Sequence, residues 1–360
     1  MLEQSKGHSL DPGLRMSPYP HKIVVLGGGG FFASHLLSAL KNSLIETELV
    51  VIDQVKQLPE DRQQEGVTYH LGVDLGDKRT IVGYLRGAAV AINAVGYVSF
   101  SRQEVQQLFR LNSELAVIAA EACYRAHVPW LVHISSVAGL GYRQGRGDPV
   151  HEEFEFDWDL ARRKRKYYML TKHEGDFLLD AFGDTPMRTI IYPGLMVGPG
   201  DRINTPRLLK VVKSPLCLSP PGGTNIVDVR DVAAGVAALL ERGPGSGRFI
   251  LGGENLLIAD MFRRVREVLG CKGLFVAIPG WTRRPLTWIT SVGETVFRRP
   301  IPLTTDNVDS MYEWRYFTST RAEEVFGYQV RYSVEESFRD YLEGEESLEE
   351  GLPVNTTSYE

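Results

Sequence analysis

Cysteine is scarce: Cys123, Cys217 and Cys271 are the only three in 360 residues, and they stand far apart. They form neither a disulfide framework nor a set with metal-ligand spacing, and their number suits a reducing compartment. Long apolar runs are missing too, none reaching the roughly 18 residues of a membrane span. Residues 1–20 are polar, broken by Pro12, Pro18 and Pro20, and lack the apolar middle of a secretory signal. A cytoplasmic protein is expected. Nor does charge of one sign dominate: 40 Lys+Arg against 45 Asp+Glu leave a net −5 and a pI near 6.0, which argues against a general nucleic-acid binder. The 43% hydrophobic and 24% charged content is that of an ordinary globular chain. Its length can bury a core in one large α/β domain or in two.

Residues 22–26 (KIVVL) are a short β-branched apolar run, the pattern of a parallel strand buried on both faces. Gly27-Gly28-Gly29-Gly30 follows, and Phe31-Phe32-Ala33-Ser34-His35-Leu36-Leu37 opens a helix. Strand, glycine turn and helix make a phosphate cradle, because backbone N–H groups and the helix N-terminus face a pyrophosphate and glycines let it approach. Two spacings fit, Gly27-x-x-Gly30-x-x-Ala33 and Gly28-x-Gly30-x-x-Ala33. Gly27, Gly30, Phe31 and Phe32 are the expected contacts. The next apolar run, 48–52, ends at Asp53, whose carboxylate would accept hydrogen bonds from the adenosine ribose hydroxyls. It would repel a 2′-phosphate by about 4 kcal/mol per unit charge at ~4 Å and an effective dielectric near ~20. Only Lys56 follows closely to offset that, so NAD is expected over NADP.

The alternation continues. A third strand over 68–73 ends at Asp74-Leu75, and a fourth over 88–94 ends in Asn93-Ala94-Val95-Gly96. Residues 103–127 have helical periodicity, and 130–134 (WLVHI) is a fifth strand delivering Ser135-Ser136. Such a series implies an α/β fold, a Rossmann-type doubly wound parallel sheet with ligands at the strand C-terminal ends. Downstream, Tyr168-Met169-Leu170-Thr171-Lys172 places a phenol and an ammonium four apart on one helix face. The ammonium favours the phenolate, and lowering a phenol pKa by about three units represents roughly 4 kcal/mol. Tyr167 lies five from Lys172, on a less aligned face.

Together these motifs resemble the extended short-chain dehydrogenase/reductase superfamily, with its NAD-dependent epimerase/dehydratase fold, from residue 22 to about 342. The glycine turn matches the family's, with Ala33 where glycine is usual and Leu26 where threonine often stands. Asp74-Leu75 resembles the pair that contacts adenine, and Asn93, Ala94 and Gly96 the element flanking the cofactor. By the same resemblance, Asn112 falls where a helix asparagine supports the catalytic lysine through water. Ser136 matches the active-site serine, with Ser135 as the alternative, and Tyr168 and Lys172 match the Tyr-x-x-x-Lys pair. Tyr192-Pro193-Gly194 begins a segment similar to the R-P-G-x-x-x-G-P-G-D run beside the nicotinamide, with Tyr192 replacing arginine. Residues 248–255 are similar to the strand-turn of the 3-hydroxysteroid dehydrogenase, dihydroflavonol reductase and hopanoid-associated branch.

The resemblance implies an NAD-dependent oxidoreductase acting on a secondary alcohol or ketone, with Tyr168 as general acid/base, Lys172 lowering its pKa and holding the nicotinamide ribose, and Ser136 donating to the substrate oxygen. A nucleotide-sugar epimerase uses the same constellation and stays open, as does a nucleotide-sensing regulator without catalysis. A dehydratase fits less well, since Val137-Ala138 follow Ser136 where that group places Asp-Glu. No metal is implied. The expected organisation is a tail over 1–21, a dinucleotide-binding domain over 22–192, a mainly helical substrate-binding region over 193–342 with 225–240 and 248–252 returning to the first domain, and an acidic tail over 343–360. A homodimer pairing through the helices around 103–127 and 168–182 is also implied.

The second half holds Trp281, Trp288, Phe297, Tyr312, Trp314, Tyr316 and Phe317, read as the pocket of a bulky, mainly hydrophobic small molecule or as the core of a subdomain. Residues 283–299, flanked by Arg283, Arg284, Arg298 and Arg299, suit peripheral membrane contact. The run Arg162-Arg163-Lys164-Arg165-Lys166 is either a solvated surface or an attractor for an anionic substrate.

Overall fold

The computed structural model describes residues 20–143, 145–296 and 304–350. In chain order, β1 (Lys22–Leu26) leads through the glycine turn to α1 (Phe31–Ser43), followed by β2 (Glu48–Asp53), β3 (Val67–Leu71), α2 (Lys78–Leu85) and β4 (Val90–Asn93). A helical stretch follows as α3 (Val105–Leu108), a π-helical segment (Phe109–Glu114) and α4 (Leu115–Ala126). Then come β5 (Trp130–Ile134), α5 (Trp158–Arg163), α6 (Tyr167–Asp180) and β6 (Met187–Pro193). The remaining chain forms β7 (Leu195–Val197), α7 (Asn204–Val212), β8 (Leu216–Ser219), β9 (Gly223–Asp228), α8 (Val229–Arg242) and β10 (Gly247–Leu251). It ends with β11 (Glu254–Leu257), α9 (Ile258–Val268), β12 (Leu274–Ala277), α10 (Arg283–Val296), α11 (Thr305–Ser310), α12 (Thr320–Phe326) and α13 (Val334–Glu350).

The main sheet is parallel throughout, in the order β10-β6-β5-β4-β1-β2-β3. Its order reverses at β1, between β2 and β4, where doubly wound sheets open a ligand crevice at the strand C-terminal ends. Period-2 alternation divides β1 between two cores. Ile23 and Val25 pack with Leu36, Leu40 and Val236 on the α1 and α8 side. Val24 and Leu26 pack with Ile81, Leu85, Leu115 and Ala119 on the α2 and α4 side. Each of these side chains is almost wholly buried, a gain of roughly 1.5–3 kcal/mol for a large aliphatic residue.

Several boundaries differ from the sequence reading. Residues 103–127 are not one α-helix: the π-helical segment widens the turn at Asn112 and Ser113, a device common at functional sites. The widened backbone lies against α6 so closely that a Cβ on Gly175 would come within 2.4 Å of the Asn112 carbonyl oxygen. Of the stretch 225–240, α8 packs on α1, whereas β9 joins a separate sheet in the order β11-β9-β7. Pro20 and His21, counted with the first tail, are docked: Thr47 Oγ1 donates to Pro20 O at 2.7 Å and Glu48 N to His21 O at 3.0 Å. The segment read as an acidic tail from 343 continues α13 to Glu350; residues 1–19 and 351–360 lie outside the described residues. Among the described residues no helix is long and apolar enough to cross a membrane, and no group of three or more His, Cys, Asp or Glu is placed to hold a metal ion.

Candidate active site

The glycine turn tests the fit of a dinucleotide. Gly27 has φ +76°, and a Cβ there would fall within 3.0 Å of Val95, so backbone sign and space both demand glycine. Gly30 is the N-cap of α1 and no side chain caps that end, leaving first-turn N–H groups to an anionic ligand. Beside it, Asp53 Oδ2 accepts from Gly29 N at 2.7 Å and Oδ1 from Val55 N at 3.0 Å. Asp53 therefore ties the glycine turn to the end of β2 while keeping lone pairs for a ribose. Arg62, which inspection of the two or three residues after Asp53 misses, donates from Nη1 to Gly29 O at 3.2 Å.

The flanking elements divide. Asp74 is exposed and accepts from Gly76 N at 2.9 Å, while Leu75 is buried in the core. Asn93 turns inward: Nδ2 meets His133 Nδ1 at 3.1 Å and Oδ1 accepts from Val95 N at 3.1 Å. It shapes the loop that carries Ala94 and Gly96 and presents no side chain to a cofactor. Lys172 Nζ stands 3.1 Å from the place a Gly96 Cβ would take. Tyr192 also departs from expectation. Its side chain is wholly buried in the core, whereas Pro193 and Gly194 line the cavity.

That cavity gathers Ser136 and Tyr168, with Val98, Phe100, Met169, Leu195, Met196 and Phe317 as its apolar wall. Phe100 meets the Tyr168 ring edge-on at 6.2 Å. The two serines separate clearly: Ser135 Oγ donates to Asp176 Oδ2 at 2.9 Å, while the Ser136 hydroxyl accepts from Ala138 N at 3.2 Å and lines the cavity with Tyr168. Tyr167 packs instead with Phe156 and Leu160 in a side cluster. Burial raises the Tyr168 pKa above that of a free phenol, the nearby Ser136 hydroxyl pulls it back, and the Asp176 charge adds to the rise. The expected lowering by Lys172 is not found. Burial depresses Lys172 itself, with Asp176 pulling it back up, and its ammonium donates to Ile134 O at 3.4 Å. Asp176, raised by burial and lowered by Ser135 and Lys172, lies four residues beyond Lys172. The i,i+4 rule that paired Tyr168 with Lys172 also points to it.

Asn112 is fully committed. Its Oδ1 accepts from Tyr97 N at 2.9 Å, and Nδ2 donates to Tyr97 O at 3.0 Å and Thr171 Oγ1 at 3.1 Å. It fastens the residue next to Lys172, which makes it a positioning residue and not one of the reacting groups.

One part of the cavity wall is charged, and sequence reasoning missed its assembly. Lys166, Asp306, Arg315 and Tyr142 all line it. Glu313, just behind, receives Tyr142 Oη at 2.6 Å, Arg315 Nη2 at 3.0 Å, Lys166 Nζ at 3.2 Å, Arg283 Nη2 at 3.4 Å and Lys164 Nζ at 3.5 Å. Burial alone would push its carboxyl up, but Arg315, Lys166, Tyr142 and Lys164 together hold it down to about 2. The basic run therefore splits: Lys164 and Lys166 turn inward to this network, while Arg162, Arg163 and Arg165 are exposed. The aromatic cluster splits as well. Phe317 reaches the cavity, Tyr312 is buried, Trp281 and Trp288 are exposed on the outside, and Phe297 lies outside the described residues.

Residues 23–252 match the family described as NAD dependent epimerase/dehydratase. A Synechocystis sp. protein named as a dihydroflavonol 4-reductase is 24% identical over 314 residues, covering 84% of this chain and 88% of its own length. Sterol demethylase protein B of Methylococcus capsulatus is 26% identical over 212 residues, and the match spans 57% of this chain and 62% of that relative. Among solved structures, a UDP-glucose-4-epimerase from Stenotrophomonas maltophila with bound NAD superposes with a TM-score of 0.72 at 17% identity, covering 92% of this chain and all of the other. At that identity the likeness speaks for the fold.

Proposed function

The chain belongs to the NAD dependent epimerase/dehydratase family, and we propose that within it the protein is a dehydrogenase or reductase that interconverts a secondary alcohol and a ketone on a bulky, mainly hydrophobic substrate such as a sterol, triterpenoid or lipid. The observation that carries this reading is the placement of Ser136 and Tyr168 in one cavity whose wall is largely apolar. The two relatives named for a dihydroflavonol reductase and a sterol demethylase protein support it.

The glycine turn, the α1 N-terminus and Asp53 would hold NAD, which when bound would supply the hydride acceptor or donor. The protein's own part is proton transfer and positioning. Tyr168 exchanges the proton on the substrate oxygen, a role worth ~10²–10⁴ in rate. Ser136 donates to that oxygen as charge develops on it. Asn112 and the π-helical backbone against Gly175 fix the height of α6, and thereby of Tyr168 and Lys172, over the sheet edge.

A second reading, nucleotide-sugar epimerisation, is favoured by the polar wall of the same cavity, where Lys166, Asp306 and Arg315 stand. One experiment separates the two. Purified protein is first assayed for retained nucleotide, then mixed with NAD+ and a panel of sterol alcohols while NADH absorbance is followed. Stoichiometric NADH that disappears in Tyr168→Phe supports the dehydrogenase. Retained NAD, no NADH from any alcohol and interconversion of UDP-sugars would replace it with the epimerase.

Two assemblies belong to the proposal. The outward face of α10 with Trp281 suits contact with a membrane surface, from which a lipid-like substrate is drawn. The exposed Tyr124 on α4 and Phe177 and Leu178 on α6 suit pairing of two copies.

A further inference from the structure

The charged wall of the cavity carries more positive than negative charge. Lys164, Lys166, Arg283 and Arg315 meet three carboxylates, Asp306, Asp309 and Glu313, all within 3.6 Å of one or more of the cations. One positive charge is left over. The two cations that reach the cavity are Lys166 and Arg315.

The hydrogen-bond inventory shows which of them has capacity to spare. Lys166 is buried and donates to Asp306 Oδ1 at 2.7 Å and Glu313 Oε2 at 3.2 Å. Arg315 Nη2 donates to Ser310 Oγ at 2.6 Å and Glu313 Oε2 at 3.0 Å, but its Nε is buried with no partner. A guanidinium N–H left unpaired in a buried place costs free energy unless a ligand meets it. Other polar groups of the wall are satisfied within the protein. Asn225 bonds Gly253 and Asn255 through Nδ2, and its Oδ1 accepts from Gly253 N. Asn204 Nδ2 donates to Met196 O at 3.2 Å, and Asp306 Oδ1 is taken by Lys166 and Ser310.

The backbone around Arg315 is fixed. Arg315 N donates to Gly223 O at 3.0 Å, Gly223 N to Glu313 O at 2.9 Å, and Val150 N to Tyr316 O at 2.8 Å. The guanidinium lies 5.3 Å from the Tyr142 ring centre and the Lys166 ammonium 5.4 Å from the same ring, so both cations are aimed by one aromatic ring. A preorganised cation with an unused donor, on the wall of a cavity that also holds the catalytic tyrosine, is what recognition of an anionic group requires.

We propose that Arg315 and Lys166 form an anion subsite of the substrate pocket, which receives a carboxylate carried by the hydroxy- or keto-substrate. The inference rests on the alcohol/ketone reading above and narrows it: the substrate is an acid with an apolar body. Specificity follows from the subsite, because a neutral analogue leaves the Arg315 donor unpaired.

The test measures binding, so it does not depend on turnover. NAD+-loaded full-length protein is dialysed to equilibrium against a 3-hydroxycholanoic acid, against its methyl ester, and separately against UDP-glucose and glucose. The acid is expected to bind about tenfold or more tightly than the ester, the range for a hydrogen bond to a charged group. Arg315→Gln should reduce that preference to within about threefold while leaving the ester's affinity unchanged. Should Arg315→Gln not fold, Arg315→Lys keeps a charge beside Glu313 but lacks Nε, and is expected to lose most of the preference alone. Arg315-dependent binding of UDP-glucose in place of the steroid acid would keep the anion subsite and displace the sterol-type reading. Equal affinities of both members of each pair in the unaltered protein, or a loss in Arg315→Gln that strikes acid and ester alike, would overturn the subsite, whatever the NADH assay shows.

Discussion

Tyr168 faces opposite demands in the two directions of the proposed reaction. Ketone reduction needs the phenol as a proton donor, and alcohol oxidation needs the phenolate as an acceptor. Burial raises the Tyr168 pKa, so the donor form persists through neutrality and beyond, while the acceptor form gains with every rise in pH. Lys172 is depressed by burial, so its positive charge is lost sooner on the alkaline side than that of an ordinary lysine. kcat/KM for reduction should therefore be flat across neutral pH and decline on the alkaline side, whereas oxidation should climb from neutral into alkaline pH. Rates in both directions over that range check this; an oxidation optimum more acidic than the reduction optimum would contradict it. The meeting of Ser136 and Tyr168 in one cavity was legible in the sequence because a strand end and a helix face place them, while the roles proposed for them and for Lys172 come from the family resemblance. The Arg315–Lys166 wall was not, since residues far apart in the chain meet only where Trp314 and Phe317 pair with Gly223 and Val150.

Elements buried on both faces, such as β1 and β5, announce themselves as short, mostly apolar runs, and the structure keeps their bounds. Elements decided by a tertiary contact do not. The π-helical turn depends on Gly175 of α6 admitting the Asn112 carbonyl, and no periodicity within 103–127 encodes that. The extension of α13 into an acidic segment was hidden for another reason. Val334, Phe338 and Tyr341 anchor one face of it in a core, and the Glu-rich continuation needs only helix propensity to follow. In α10 the usual polarity is reversed. Trp288 at 69%, Ile289, Val292 and Val296 are exposed, along with Trp281 at 74% just before it, while Thr290 is buried. Tryptophans with a basic flank, here the exposed Arg284, match a helix resting in the headgroup region of a bilayer; Arg298 and Arg299 lie outside the described residues. The protein should co-sediment with phosphatidylcholine vesicles containing phosphatidylserine, and less with phosphatidylcholine alone. Trp288→Ser should weaken binding severalfold without changing the fold. A wild type that stays in the supernatant with both compositions would rule this contact out.

For the whole molecule, α4 and α6 pack side by side on the sheet and still expose Tyr124 at 58% and Phe177 at 57%. Scattered apolar residues are normal on a surface. Large ones on two neighbouring helices, with Leu178 beside them, form the kind of anchor that dominates a protein interface. Pairing through this face would reach the proposed reacting groups directly, because α6 carries Tyr168 and Lys172 on the same 14-residue helix as Phe177. A dimer would therefore hold α6 from outside while Asn112 and Ser113 hold it from inside. Light scattering on the eluting protein should give about twice the 40.3 kDa chain mass. Phe177→Glu places a charge where a stable interface needs a dry centre, so it should elute as a single chain with its circular dichroism intact. Its turnover should fall along with its association, and restoring association at high protein concentration should restore turnover. A wild type that elutes at the mass of one chain at micromolar concentration, or a monomeric variant with full activity, would show that α6 is held by the internal contacts alone.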